Sequence, residues 1–255
     1  MNFRFAAIAT IIALVVTFNA HAYGAKQSRL RIKAVAFDYF VIFDANSVEP
    51  VIERVFPGKG QEFTKAWRSK QFEYCYLLSL TNSYEDFFKV TGDALDYTAE
   101  QMHLALTAAT RAQLLNAYLN LRPFPDVEAA LKKLRAAGIR IITIANFSSE
   151  MLRVNADHAG ITSLFDELLS TESNRTFKPD PRAYQLGIER LHLKKNEIVF
   201  AAFGGWDAYG AERFGYPTVW VNRFNLPAER LGVEPDRVSP NLDGLVDFVL
   251  SESSH

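Results

Sequence analysis

The sequence predicts an α/β protein: a doubly wound parallel sheet with helices on both faces, carrying an inserted all-helical cap. Three observations predict it. Residues 32–44 read IKAVAFDYFVIFD, where an apolar run of strand formers ends directly on the carboxylate of Asp38; a strand buried on both faces has this form. Residues 127–221 alternate strand-type and helix-type patterns, as parallel strands joined by crossover helices do. Between 46 and 121 only helical periodicity occurs, so the insertion follows the first strand and is placed as a cap over the sheet's carboxyl edge. The resulting division is an α/β core over 31–45 and 122–255 and a helical cap over 46–121.

The elements follow in order. Arg4 precedes an apolar run over 5–18 and then Ala20-His21-Ala22, a pattern that reads as a secretory signal peptide over 1–22. The alternative is an uncleaved anchor, but the run is shorter than the roughly 20 residues a spanning helix needs. Export of this kind points to a bacterial periplasm, with no membrane contact after cleavage. The first strand, 34–37, delivers Asp38 to the sheet edge where open α/β sheets bind ligands; an Asp that merely caps the next turn is the competing reading. Helices are expected over 48–56, closed by the Pro57–Gly60 turn cluster, and over 61–80, where Phe63, Trp67, Phe72, Tyr76 and Leu80 recur at spacings mostly near four. Further helical stretches fall at 84–90, 98–108 and 111–121.

Arg122-Pro123-Phe124-Pro125-Asp126 breaks that pattern, and Asp126 is placed to help start a helix over 127–137. Strands then read at 139–144, 165–169, 198–203 and 218–221, with helices at 150–159, 181–191, 208–214 and 242–250. No G-x-G-x-x-G turn follows the first strand, and no Walker loop is present, which removes dinucleotide and P-loop chemistry. A net charge of −1 gives no field that would draw nucleic acid or an anionic membrane. Cys75 is the only cysteine, so neither an internal disulfide nor a cysteine metal site is possible.

An Asp ending the first strand, Ala145-Asn146 ending the second, Lys178-Pro179-Asp180 before a helix and Asp207 after the fourth strand together resemble the haloacid dehalogenase superfamily. The segment Trp67-Arg68-Ser69-Lys70-Gln71-Phe72-Glu73-Tyr74 is similar to the cap helix of its type II (S)-2-haloacid dehalogenases, as are 178–184, Trp206-Asp207-Ala208 and Val221-Asn222-Arg223. The resemblance covers about 32–250. It implies hydrolysis of short (S)-2-haloalkanoic acids without cofactor or metal, and a homodimer. It implies Asp38 as the nucleophile that forms an ester with C2, and Lys178 as the charge partner that keeps Asp38 ionised. Asp207 would pair with Lys178 and position or deprotonate the hydrolytic water. Arg68, with Asn146 beside it, would stabilise the departing halide, and Tyr184 would fix the Lys178–Asp38 geometry. Phe72, Phe87 and Trp206 would wall the substrate side chain, with Phe40, Ala145 and Phe147 also at the substrate. On residue type alone each of these has a plainer reading: core aromatics for the rings, a solvated helix charge for Arg68, a loop lysine for Lys178.

The chain departs from the family pattern in three motifs. The Gly-Thr pair after the first-motif aromatic is absent, and the run Asp38-Tyr39-Phe40-Val41-Ile42 is one residue shorter. Ala145 stands where the family carries Ser, and Ala202 and Gly204 where it carries Ser and Asn. The backbone N–H groups of Asn146 and Phe147 remain as substitute donors. Two other functions compete with dehalogenation. A weakly active or inactive binder of small organic acids fits the lost donors. A magnesium-dependent phosphatase of the same superfamily would need an acid two residues after the nucleophile, and Phe40 stands there.

Overall fold

The computed structural model describes residues 32–253; the expected signal segment lies outside the described residues. Strand β1 (Ala34–Phe37) is buried along its whole length. Asp38 then caps a single helical turn, α1 (Tyr39–Ile42), its carboxylate accepting from the Phe40 N–H at 3.4 Å. A two-residue strand, β2 (Phe43–Asp44), leads into the helical segment: α2 (Glu49–Val55), α3 (Gly60–Leu80), α4 (Phe87–Gln101) and α5 (Ala108–Tyr118). The chain returns through β3 (Arg122–Pro123), which pairs antiparallel with β2, so both ends of the helical segment are tied at one point.

Beyond it come α6 (Val127–Ala136), β4 (Arg140–Ala145), α7 (Ser149–His158), β5 (Glu167–Ser170), α8 (Pro181–Leu191), β6 (Ile198–Ala202), α9 (Gly205–Phe214), β7 (Thr218–Val221), β8 (Arg237–Ser239) and α10 (Leu242–Ser253). The six-stranded sheet has the order β5-β4-β1-β6-β7-β8, and every pairing is parallel. The chain moves outward from β1 to β4 and β5 on one side, then crosses to β6, β7 and β8 on the other. The carboxyl end of β1 is therefore the switch point of the sheet, where such folds open a crevice.

Two local expectations differ from the structure, and one strand has no counterpart among them. The stretches 84–90 and 98–108 are not two helices: α4 runs unbroken to Gln101, the chain turns through His103 in the left-handed region (φ 55), and α5 begins after its Thr107 cap. Gly92 lies inside α4, with Nη2 of Arg111 2.6 Å from where a Cβ would stand. Asp126 does not cap α6 with its side chain; it forms a fork with Arg223 Nη1 and Nη2, both at 3.0 Å, and accepts from the Leu242 N–H at 2.9 Å. Arg223 Nη2 also donates to the Val41 carbonyl at 3.0 Å, so this pair clamps the turn after Asp38 to the end of β7. Finally, β8 is a short edge strand with no apolar alternation to betray it.

Candidate active site

The carboxyl ends of neighbouring strands bring the polar residues together. Asp38 follows β1, and its N–H donates to the Ala201 carbonyl of β6 at 2.9 Å. Asn146 follows β4, Lys178 lies between β5 and α8, and Asp207 is in the first turn of α9. Lys178 Nζ lies 2.7 Å from Asp207 Oδ2 and 3.3 Å from Asp38 Oδ1. The Lys178 N–H donates to Asn146 Oδ1 at 2.8 Å, which fixes the backbone from which the ammonium projects. The Tyr184 hydroxyl donates to Asp207 Oδ1 at 2.7 Å. Behind it, the Tyr216 hydroxyl donates to the Tyr184 carbonyl at 2.7 Å. Gly210 on α9 makes this approach possible: a Cβ there would run into the Tyr184 hydroxyl and come within 2.8 Å of Pro179 Cβ.

All three charged side chains are withdrawn from water: Asp38 is 5% exposed, Lys178 1% and Asp207 0%. Two carboxylates and one ammonium leave the group with one excess negative charge. Burial pushes Asp207 up to about 7; the Lys178 ammonium pulls it down, the Asp38 charge raises it, and hydrogen bonds from Lys178 and Tyr184 pull it down again. Burial first, and then the Asp207 charge, push the Tyr184 phenol well above its ordinary value, so it remains a donor. Both Asp207 oxygens are engaged. Its geometry is that of a group that holds Lys178 in place.

Aromatic rings form the roof. Arg68 on α3 lays its guanidinium 4.3 Å from the Phe40 ring centroid, 5.4 Å from Phe72 and 6.0 Å from Phe203. Phe40 packs on Phe147 at 4.9 Å, and Phe72 on Trp206 at 5.3 Å. Phe87 stacks on Phe147 at 4.9 Å and reaches Phe177 at 6.1 Å, one layer behind the Phe40 ring. Ala145 is fully buried at the end of β4. Where a side chain at position 204 would project, the Trp206 indole already sits: a Cβ on Gly204 would be 2.5 Å from Nε1. The space of one missing donor is thus filled by an aromatic ring.

Lys178 converges on Asp38, whereas Arg68 does not pair with any carboxylate within 4.0 Å among the described residues. Arg68 instead borders a cavity of about 550 Å³ that is also lined by Ser69, Phe72, Phe203, Phe224, Leu226 and the polar groups of Asp44, Asn46, Glu49, Gln61, Thr64 and Lys65. Phe203 and Phe224 escape sequence reading, although Phe203 stands directly before the Gly204-Gly205 pair that ends the fourth long strand. That position was a signal. Phe224 lies in a loop without pattern and gave none.

The chain matches the family model of haloacid dehalogenase-like hydrolases over residues 32–215. It is 40% identical over 218 residues to the (S)-2-haloacid dehalogenase of Pseudomonas sp. (strain YL), covering 85% of this chain and 94% of that one. It is 37% identical over 220 residues to haloacetate dehalogenase H-2 of Moraxella sp. (strain B), covering 86% and 98%. The structure of the L-2-haloacid dehalogenase of Xanthobacter autotrophicus with chloropropionic acid covalently bound superposes with a TM-score of 0.80 at 33% identity, covering 86% of this chain and 98% of that one. By family model, sequence relatives and fold together, this chain belongs to the haloacid dehalogenase-like hydrolases.

Proposed function

We propose that the protein hydrolyses short (S)-2-haloalkanoic acids to 2-hydroxy acids and halide through an ester on Asp38. The observation that carries this reading is the buried Lys178 ammonium 3.3 Å from Asp38 Oδ1 and 2.7 Å from Asp207 Oδ2. It supplies a charged but dehydrated carboxylate, the form that attacks carbon best. An Asp38 oxygen forms a bond to C2 as the carbon–halogen bond breaks, and the halogen leaves with both electrons. Water then adds to the Asp38 side-chain carbonyl. The alkoxide of the product departs with a proton from that water, and the second water proton goes to solvent through the polar group around Asp207. Arg68 stands on the cap side for the leaving group, and Asn146 Nδ2, which makes no hydrogen bond among the described residues, is left for the substrate. Phe40, Phe72, Phe147 and Trp206 exclude water from the reacting carbon. Export through residues 1–22 to the periplasm and assembly as a homodimer belong to the same proposal. Their support is the sequence pattern and the family likeness; intact mass of the secreted protein and its sedimentation read them directly.

The test is incubation with (S)-2-chloropropionate, with and without EDTA, beside a chromogenic phosphate ester with magnesium. Equimolar chloride and 2-hydroxypropionate, unaffected by EDTA, is the expected result. Magnesium-dependent phosphate release would replace the reading with a phosphatase. Thermal stabilisation by the acid with no turnover would replace it with a binder.

The acid limb of the rate profile follows from Asp207. Its pKa is raised to about 7, so the group is charged above that pH and neutral below it. Only the charged form holds Lys178 as an ion pair, so kcat falls as pH drops through that value. The Tyr184 hydrogen bond lowers this pKa. Tyr184→Phe therefore moves the limb to higher pH, as read from kcat against pH.

A further inference from the structure

Asp38 is aimed by a turn that cannot hold itself. Helix α1 is the single turn Tyr39–Ile42, and an isolated turn of this length is unstable on its own. Its one polar side chain, Tyr39, donates its hydroxyl to the Leu152 carbonyl at 2.6 Å. The Asp38 carboxylate is met by two long contacts, both on Oδ1: the Phe40 N–H at 3.4 Å and Lys178 Nζ at 3.3 Å. Its direction therefore depends on where the turn sits.

Val41 links the turn to the end of β7. Its N–H donates to the Asp38 carbonyl at 3.1 Å, and its own carbonyl accepts from Nη2 of Arg223 at 3.0 Å. The Arg223 side chain is 8% exposed. Asp126 fixes the guanidinium through the fork on Nη1 and Nη2, and the Leu242 N–H fixes Asp126 in turn. The Phe124 ring lies against the guanidinium at 4.0 Å, and the Phe124 N–H donates to the Ile42 carbonyl at 2.9 Å. The last two carbonyls of the turn are thus held from outside it. Nε of Arg223 is buried and has no partner among the described residues. An unpaired buried donor is costly, so the guanidinium is oriented for its two Nη contacts and not for its own full pairing.

We infer that Arg223, fixed by Asp126, is a positioning residue for the nucleophile: through Val41 it sets the turn that orients Asp38 and places the Phe40 ring against Arg68. Arg223 touches no reacting atom, and no bond is made or broken at it. The catalytic consequence rests on the dehalogenase reading; the effect on the turn does not.

The experiment compares the wild type with Arg223→Lys and Arg223→Met. Lysine keeps the charge but loses the planar fork that serves Asp126 and Val41 together; methionine loses the charge as well. Chloride release from (S)-2-chloropropionate in a single turnover, with enzyme in excess, reads ester formation. Steady-state turnover reads KM, and hydrogen exchange reads the amides of 39–43 against those of β5. Ester formation is expected to slow by about tenfold in Arg223→Lys and up to about 10²-fold in Arg223→Met, with KM changed less than about twofold. Exchange at 39–43 is expected to quicken while β5 stays as in the wild type. Adding Asp126→Asn to Arg223→Met is expected to slow ester formation no further, since the two residues act as a unit. Should Arg223→Met not fold, Arg223→Lys decides by the same measurements. A lower melting temperature with ester formation at the wild-type rate would assign Arg223 to stability alone and overturn the inference. Unchanged exchange at 39–43 would overturn it as well. Quickened exchange in a chain whose wild type releases no halide from any 2-haloacid would leave the hold on the turn standing and remove the dehalogenase reading. Normal turnover by the wild type, with equal ester formation in both variants, would do the reverse.

Discussion

Asp38→Asn is expected to reduce halide release by at least about 10⁴-fold, the scale on which loss of a nucleophile acts, while leaving the protein folded. An amide cannot form the ester, so the first chemical step is lost outright. The fold survives because of the charge balance in the buried group. The wild type holds two carboxylates against one ammonium, with Lys178 nearer to Asp207 than to Asp38. Removing the Asp38 charge leaves a neutral ion pair at 2.7 Å. It also removes a like charge that raises the pKa of Asp207, so that group titrates lower in the variant. Thermal melting and halide release on the same preparation check both halves. Loss of activity through unfolding would leave the nucleophile unassigned; normal activity in a folded variant would contradict the mechanism.

Lys178→Met removes the ammonium and keeps the bulk. Two buried carboxylates then face each other without a counter-charge, which costs about 3–5 kcal/mol in other buried pairs broken on one side. The chain escapes part of that cost by taking up a proton. Lys178 is the leading influence that lowers the pKa of Asp207 against burial, so in the variant that pKa rises further. A carboxylate whose folded pKa lies above its unfolded value contributes less stability as pH climbs between the two. The stability deficit against wild type is therefore small at pH near 5 and large near 8, as urea unfolding at the two values would read. Activity falls on the order of 10³-fold, since Asp38 loses both its charge partner and its orientation. A deficit independent of pH would mean that Lys178 matters as packing.

The sheet and the polar half of the site were legible in the sequence because strand ends announce themselves. Asp38, Asn146 and Asp207 each terminate or follow an apolar run, and Lys178 precedes a Pro181 helix start with an Asp180 cap. What those residues do to one another was less legible. Nothing local says that Asn146 spends its carbonyl on the Lys178 backbone, or that both Asp207 oxygens are occupied. Asp126 looks like a helix cap and is an arginine clamp, because Arg223, distant in sequence, outcompetes the nearby N–H groups. Such roles depend on atoms brought together from far apart in the chain.

Ala145, Ala202 and Gly204 stand where the resemblance expects polar side chains, and the Lys178–Asp38–Asp207 group is complete beside them. Ala145 and Ala202 are fully buried, and the Trp206 indole covers Gly204. In the proposed function the substrate carboxylate would fall to Asn146 Nδ2 and to the backbone N–H groups of Asn146 and Phe147.

The central claim is that an oxygen of Asp38 enters the product. In water enriched in heavy oxygen, repeated turnover of (S)-2-chloropropionate should load the label into the Asp38-containing peptide. A single turnover with enzyme in excess should give 2-hydroxypropionate whose new hydroxyl is unlabelled. Label appearing directly in that hydroxyl, with none in the peptide, would show that water attacks carbon itself and that Asp38 is not the nucleophile.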